Sequence, residues 1–364
     1  MSSTVLLDAT PLRVPENDRA DAAWVRGLLT ALGALAIGER PSVIIGPDDH
    51  APVGFVAQRL PRPPGVLERS ARRPSAPRAL PGLERVDIVH LTSTLPLAVP
   101  AQISTCFDLL PLRFPALELG PGRAAARRRY NDYLDRLTAA RLVVVPTPAV
   151  AADLSELLAI PAGRIRVVPL AAPPGATADA GSTETGPTVL VVANREPYTN
   201  ADLAIRAVAA SDPRARIGLI VAGVGDRRRR ERLRRRAAGL GLGHRVDIHG
   251  PMAAGALDAL RARATVAAVP SRAGAGDASA LAAMAAGLPV IGGDGAELDE
   301  VFGTAAMRLP ISRADAWGEA LSAIATDGAL GERMAAASRA RAAERSWQDV
   351  LREVQAVWGE AMDG

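Results

Sequence analysis

The sequence predicts an α/β protein built from two doubly wound domains. Three observations carry that prediction. Short apolar runs alternate with helical stretches along the whole chain. A Pro/Gly/Ser/Thr-rich segment, Ala171–Pro187 (AAPPGATADAGSTETGP), interrupts the series near its middle. The stretch Thr265–Ile291 reads as apolar strand, glycine-bearing loop, Ala/Leu/Met helix, helix-stopping Gly287 and second strand, which is the unit from which such sheets are wound.

In the first half, Val5–Asp8, Ser42–Ile45, Val86–Leu91, Gln102–Cys106, Leu142–Val145 and Ile165–Val168 are apolar enough for strands buried on both faces. Trp24–Ala36 is expected to be a helix with Val25, Leu28, Leu29, Leu32 and Leu35 on one side. Gly120–Ala140 is expected to turn Tyr130, Tyr133, Leu134 and Leu137 inward, and Ala149–Leu158 is a shorter helix. Gln58–Leu83 is rich in Pro and Arg and lacks periodicity, so a long irregular or mobile loop is expected there.

The second half repeats the alternation with strands at Val189–Ala193, Ile217–Val221, Val246–His249 and Thr265–Val269. Helices are expected over Ala201–Ala210, the run Arg227–Arg236 (RRRRERLRRR) and Ala254–Ala262. The Arg-rich run reads as a solvated helix face, and Ala222–Asp226 (AGVGD) as a strand-end turn. A tail helix, Trp347–Met362, carries Val350, Leu351, Val354 and Trp358 on one face. The expected division is therefore 1–170, a linker at 171–187, 188–346 and a terminal helix at 347–364.

Composition narrows the function classes. The 364 residues suffice for two cores, and a hydrophobic content of 48% with 23% charged is that of a globular chain. No apolar run reaches the roughly 18 residues that a membrane span needs. The start lacks a basic, apolar leader, so a cytoplasmic location is expected. Cys106 is the only cysteine and the four histidines are scattered, so neither a disulfide framework nor a metal site is expected. A net charge of +4 is too small to argue for nucleic acid. All basic side chains are arginine. A dehydrogenase would need G-x-G-x-x-G after an early strand and a serine hydrolase would need G-x-S-x-G; neither motif is present.

The stretch Pro270–Ile291 (PSRAGAGDASALAAMAAGLPVI) resembles the signature P-S-x-x-E-G-F-G-L-P-x-x-E-A-M-A-x-G-x-P-V of the retaining, nucleotide-sugar-dependent glycosyltransferases of family 4. Pro270, Ser271, Ala283, Met284, Ala285, Gly287, Pro289 and Val290 fit that frame without a gap. Pro146–Ala171, Asp108–Pro115 (DLLPLRFP, similar to H-D-L-x-P-L-x-x-P), Val246–Gly250 (VDIHG) and Glu297–Gly303 (ELDEVFG) extend the resemblance over nearly the whole chain. It implies the GT-B fold, two Rossmann-like domains facing across a cleft with a tail that crosses back to the first. It also implies a metal-independent enzyme with no cofactor, taking a nucleoside-diphosphate sugar as substrate.

Such a donor needs helix N-termini, exposed amides and cations for its diphosphate and carboxylates for its hydroxyls. The resemblance assigns Arg195, Asn200, Gly250, Arg272, Gly274, Gly276, Asp277 and Glu300 to donor binding, with Asp108 as the catalytic candidate. The chain departs from the signature at five elements. The two glutamates of E-x7-E are Gly274 and Ala282. The glycine-rich element before the first helix is Ala20–Trp24, the histidine of the H-D pair is Phe107, and the Arg-Lys pair is Tyr198–Thr199. The second loop glycine is Asp277, a residue expected to cap the following helix and to occupy the amides that a diphosphate would use. Two readings follow: a glycosyltransferase with a reduced donor site, or a pseudo-glycosyltransferase that supports an active homologue as protein partner.

Overall fold

The computed structural model describes residues 4–13, 20–60, 86–93, 101–115, 124–173, 186–193, 198–272, 278–295 and 298–363. The chain divides into two compact units, one of Met1–Arg13, Val25–Pro169 and Trp347–Gly364, the other of Val14–Trp24 and Leu170–Ser346. Each is built on a single sheet of parallel strands.

The first sheet contains β1 (Val5–Asp8), β2 (Ser42–Ile45), β3 (Ala57–Arg59), β4 (Ile88–Leu91), β5 (Ile103–Thr105), β6 (Leu142–Val145) and β7 (Ile165–Val167). Their order is β3-β2-β1-β4-β5-β6-β7. The chain winds outward from β1 to β3, then returns to the other side of β1 with β4, so the topological switch lies between β1 and β4. Because helices cover parallel sheets, the inner strands β1, β4, β5 and β6 are buried along their whole length. One cluster joins Leu6, Ile44, Leu60, Val89 and Leu91, and another joins Cys106, Tyr133, Leu137, Val143, Val145 and Leu154.

Four helices described in this part of the chain are α1 (Ala20–Leu32), α2 (Leu110–Arg113), α3 (Ala124–Ala139) and α4 (Pro148–Leu158). Val25, Leu28, Leu29 and Leu32 are buried as expected, but α1 begins four residues earlier than Trp24 and ends before Leu35, which is half-buried. Ala20, Ala22 and Ala23 have high helix propensity and no proline precedes Trp24 in this stretch, so the helix extends backward. The segment expected to precede the first helix is therefore its first turn. Strand β3 is a second correction. Gln58 and Arg59 pair with Ile44 and Ile45 instead of opening a loop. The remainder of the expected loop, from 61 onward, lies outside the described residues. β3 is an edge strand, where polar side chains are tolerated and no apolar alternation is needed to announce it.

The second sheet contains β8 (Thr188–Val192), β9 (Gly218–Ala222), β10 (Val246–Ile248), β11 (Val266–Val269), β12 (Val290–Gly293) and β13 (Met307–Leu309), in the order β10-β9-β8-β11-β12-β13. Its switch lies between β8 and β11. The intervening helices are α5 (Ala201–Ala210), α6 (Arg227–Gly239), α7 (Ala254–Arg263), α8 (Ala278–Ala285), α9 (Asp299–Phe302), α10 (Ala314–Thr326) and α11 (Gly328–Ala343). Strand β13 is half-buried and was not foreseen. Of the linker expected at 171–187, positions 174–185 lie outside the described residues.

Two glycines explain local geometry in this unit. Gly287 has φ +73°, and the Leu288 N–H donates to Ala283 O (3.0 Å) while the Gly287 N–H donates to Met284 O (2.9 Å). That pair of bonds ends α8 in a left-handed cap, the stop expected from sequence. At Gly318 a Cβ would lie 2.8 Å from Ala207 O, so α10 crosses α5 in backbone contact. Trp317, beside it, is fully buried and donates its indole N–H to Pro310 O at 3.1 Å.

The tail forms α12 (Trp347–Asp363), which belongs to the first unit. Val350, Leu351, Val354 and Trp358 are buried as their spacing predicts, joined by Trp347, Val357 and Ala361. Glu360 ties the end of α12 to the sheet, accepting from Arg166 Nε at 2.8 Å.

Candidate functional site

In open parallel sheets, ligands bind beyond the carboxyl ends of the strands at the switch point. In the second unit that position is formed by the residues after β8 and after β11. The Arg272 backbone N–H donates to Tyr198 O at 2.9 Å, joining the two loops. Arg272 Nη2 then donates to Asn200 Oδ1 at 3.1 Å. Asn200 sits in the left-handed region (φ 56°, ψ 43°), which asparagine tolerates better than other β-carbon-bearing residues. It occupies the N-cap position of α5 without a side-chain cap, because its carboxamide is turned to Arg272. Tyr198, Thr199 and Asn200 are buried, whereas Arg272 is exposed. The structure thus brings two of the expected donor residues together at the switch point.

Gly250 follows β10, two strands away from β8 along the same sheet edge. A Cβ there would stand 3.4 Å from Arg230 Nη1. Arg230 itself donates to Val224 O (2.6 Å) and Gly225 O (3.0 Å), holding the turn after β9 beside Gly250. This cation was hidden in the Arg-rich run, where sequence alone favours a solvated face over a phosphate or membrane patch. The rest of α6 fits that reading, with Leu233 and Ala237 as its buried residues. The turn ends in Asp226, whose Oδ1 accepts from the N–H groups of Arg228 (2.7 Å) and Arg229 (3.3 Å). Those bonds to the charged form hold its carboxyl below the usual carboxylate range.

Glu300 lies in the first turn of α9 and is exposed. Partial desolvation pushes its carboxyl above the ordinary glutamate value, against the pull of Arg341, whose guanidinium also donates to the Glu300 carbonyl. No hydrogen bond links Glu300 with Asn200 or Arg272 among the described residues. The end of β12 is fixed by Arg308, which donates to Gly293 O (2.6 Å) and Gly295 O (2.7 Å), pairs with Asp299 and lies 5.5 Å over the Phe302 ring. Phe302 packs on Gly292, where a Cβ would be only 2.1 Å from its ring. Arg195, Gly274, Gly276 and Asp277, including the expected Asp277 cap, lie outside the described residues. Ala282, which stands at the second glutamate position, is fully buried in α8.

In the first unit Asp108 Oδ1 accepts from the Leu110 N–H at 3.1 Å, supporting the start of α2, and Phe107 beside it is buried. Burial pushes the neighbouring Cys106 thiol up to about 12, which removes it as a nucleophile. A carboxylate that sequence reasoning passed over sits nearer the switch point. Asp8 ends β1, is fully buried, and accepts from the Thr10 N–H (2.9 Å), the Thr10 hydroxyl (2.6 Å) and the Thr92 N–H (3.2 Å). The Thr92 hydroxyl in turn donates to Asp8 O at 2.7 Å. The signal available in sequence was a lone Asp closing an apolar strand with a threonine two residues on; its other partner, Thr92, lies 84 residues away.

Among the described residues no group of three or more His, Cys, Asp and Glu is arranged to hold a metal, and no helix is long and apolar enough to cross a membrane.

Comparison with known families and structures extends this picture. A family model described as "Glycosyl transferases group 1" matches residues 177–341, and one described as "Glycosyltransferase Family 4" matches residues 30–174. No curated protein matches the sequence. The chain is similar over 99% of its length, and over 99% of the other, to a sucrose-phosphate synthase from Thermosynechococcus elongatus, with TM-score 0.73 and 18% identity. It is similar to WaaG, a glycosyltransferase involved in lipopolysaccharide biosynthesis, over 97% of this chain and 99% of that one, with TM-score 0.71 and 16% identity. Anabaena HepE in complex with UDP-glucose matches over 98% and 99%, with TM-score 0.71 and 14% identity. At these identities the structural likeness speaks for the fold.

Proposed function

Because the chain belongs to the GT-B-fold glycosyltransferases of family 4, we propose that it binds a nucleoside-diphosphate sugar at the strand ends of its second unit and transfers the sugar, with retention, to an acceptor. The observation that carries this reading is the Asn200–Arg272 bond across the switch point. Arginine remains charged at every working pH and donates in a planar fork suited to phosphate oxygens. Holding that fork through Asn200 reduces the ordering that a diphosphate would otherwise have to impose. Gly250 offers backbone that a nucleotide can approach, and Glu300 offers a carboxylate for sugar or ribose hydroxyls. Arg195, Gly274, Gly276 and Asp277 complete the proposed donor set, and Asp108 remains the proposed catalytic carboxylate. In this reading arginine charge, rather than a metal ion, neutralises the diphosphate. The fold relative HepE is described in complex with UDP-glucose, which supports a nucleotide-sugar donor here.

A second reading rests on Ala282. The position that carries a glutamate in the signature is here an alanine with no exposed surface, and its neighbours in α8 are buried as well. That favours a pseudo-glycosyltransferase retained as the partner of an active homologue. Calorimetric titration with uridine, guanosine and thymidine diphosphate sugars separates the two. The donor reading expects saturable binding of one nucleotide class, weakened about tenfold or more by Arg272→Ala. Absence of binding by every donor up to millimolar concentration would remove the donor reading and leave the partner role.

A further inference from the structure

The first unit holds a half-buried cation that the donor reading does not use. Arg136 projects from α3 toward the ends of β1 and β4, where its Nη2 donates to Ser93 O at 3.4 Å, long for such a bond. Its Nε and Nη1 are buried and have no hydrogen-bond partner among the described residues. Among the described residues it forms no ion pair. The acidic groups near enough to stabilise its charge are Asp8 and Asp132, and the Tyr133 ring lies 6.0 Å from its guanidinium carbon. Asp8 is engaged by three donors from Thr10 and Thr92, and the Thr10 and Ser93 hydroxyls lie 3.2 Å apart. Desolvation pulls the Arg136 pKa down from its ordinary value. A guanidinium in such surroundings with two idle donors is costly to the fold by itself, since buried charges are normally paired and fully hydrogen-bonded. Both Ser93 and Arg136 keep some solvent exposure, so the cluster is not sealed.

We propose that the β1/β4 switch point of the first unit is a binding site for an anionic group, a phosphate or a carboxylate of a small molecule, with Arg136 Nε and Nη1 as its donors. Hydroxyls beside that anion would meet Ser93 and Thr10, so the ligand class is a phosphorylated or carboxylated polyol or sugar. Identifying this ligand with the acceptor rests on the glycosyltransferase reading; the binding itself does not.

The experiment uses the full-length chain and no nucleotide. Binding of inorganic phosphate, glucose 6-phosphate, glucuronate and glucose is measured by calorimetry, and thermal stability is followed in parallel. The phosphate and carboxylate probes distinguish the two anions, and glucose is the neutral control. Wild type is expected to bind one anionic sugar at least about tenfold more tightly than glucose, with Arg136→Met removing that preference and Arg272→Ala leaving it intact. Arg136→Met should also melt no lower than wild type, because a half-buried cation with two idle donors has been replaced by an apolar chain of similar length. Equal binding of glucose and the anions, an anion preference that survives Arg136→Met, or one abolished by Arg272→Ala would each overturn the proposal. So would a lower melting temperature of Arg136→Met, which would mark Arg136 as one half of a structural, water-bridged pair with Asp8. Failure of the donor titration would leave these outcomes unchanged.

Discussion

The Trp358 indole N–H donates to His90 Nδ1 at 3.1 Å, and the ring edge meets the imidazole nearly at right angles. That bond fixes the tautomer, since an Nδ1 acceptor leaves the proton on Nε2, which lies 2.8 Å from Thr105 Oγ1. His90 is thus a fully satisfied neutral ring joining β4, β5 and the tail helix. Burial moves its pKa from 6.5 to about 3. The unfolded chain therefore binds a proton below about pH 6.5 that the folded chain refuses until about pH 3, so this group's stability is present above 6.5 and is lost as pH falls toward 3. Urea unfolding at pH 7.5 and 5.0 should show a loss from this group of about 2 kcal/mol. The same comparison in His90→Gln should lack that increment; an unchanged pH dependence would mean that His90 is protonated in the fold.

Removing the indole donor tests the bond separately. Trp358→Phe keeps most of the apolar volume but leaves Nδ1 buried without a partner, which should cost about 1–3 kcal/mol at pH 7.5. A smaller effect would say that water replaces the indole.

Gly27 is the second contact that seats the tail helix. A Cβ at Gly27 would lie 2.0 Å from the Trp347 ring, far inside contact distance, so α1 needs glycine where the indole lies across it. Gly27→Ala gains up to about 1 kcal/mol of helix propensity but should lose about 1–3 kcal/mol through forced repacking, for a net destabilisation. In a Trp347→Ala background the clash is gone and the same substitution should stabilise. Equal effects in both backgrounds would contradict the contact.

Much of the fold was legible because buried parallel strands are written as uninterrupted apolar runs. β1, β2 and β6 have the ends that the sequence predicts. What escaped was what burial does not write. β3 contains Gln58 and Arg59, and β13 is three half-buried residues at the other sheet's edge. The start of α1 departs from the resemblance because Ala20–Trp24, at the position of the signature's glycine-rich loop, carries residues that favour a helix. At the site, Asn200 and Arg272 were named one by one, but their bond spans 72 residues and depends on how β8 and β11 pair. The Asp8 network and Arg136 were missed for the same reason: neither forms a motif, and each acquires meaning only at a strand end that the topology creates.

The left-handed Asn200 allows backbone and ligand effects to be separated. Asn200→Gly keeps the φ of 56° at no steric cost but loses the hold on Arg272, so stability should stay within about 1 kcal/mol while donor affinity falls. Asn200→Ala loses the same bond and adds about 1 kcal/mol of backbone strain. Equal donor affinity in wild type and Asn200→Gly would show that Arg272 needs no positioning.

Ala282 decides how far the departure from the signature has gone. If the second glutamate position is still a ligand position, Ala282→Glu should be tolerated and should tighten nucleotide-sugar binding. The burial of Ala282 and of its neighbours Leu281, Ala283 and Met284 argues for the opposite outcome. A carboxylate placed there without a partner either stays charged in an apolar setting or takes up a proton, and either course should destabilise the chain by about 3 kcal/mol or more at neutral pH. Protonation relieves the cost, so the deficit relative to wild type should shrink as pH falls toward 5. Chemical denaturation at pH 8 and pH 5, with and without the best-binding nucleotide sugar, reads both effects. A variant as stable as wild type that binds donor more tightly would show that α8 retains room for the missing glutamate, and would return the site to the enzyme reading.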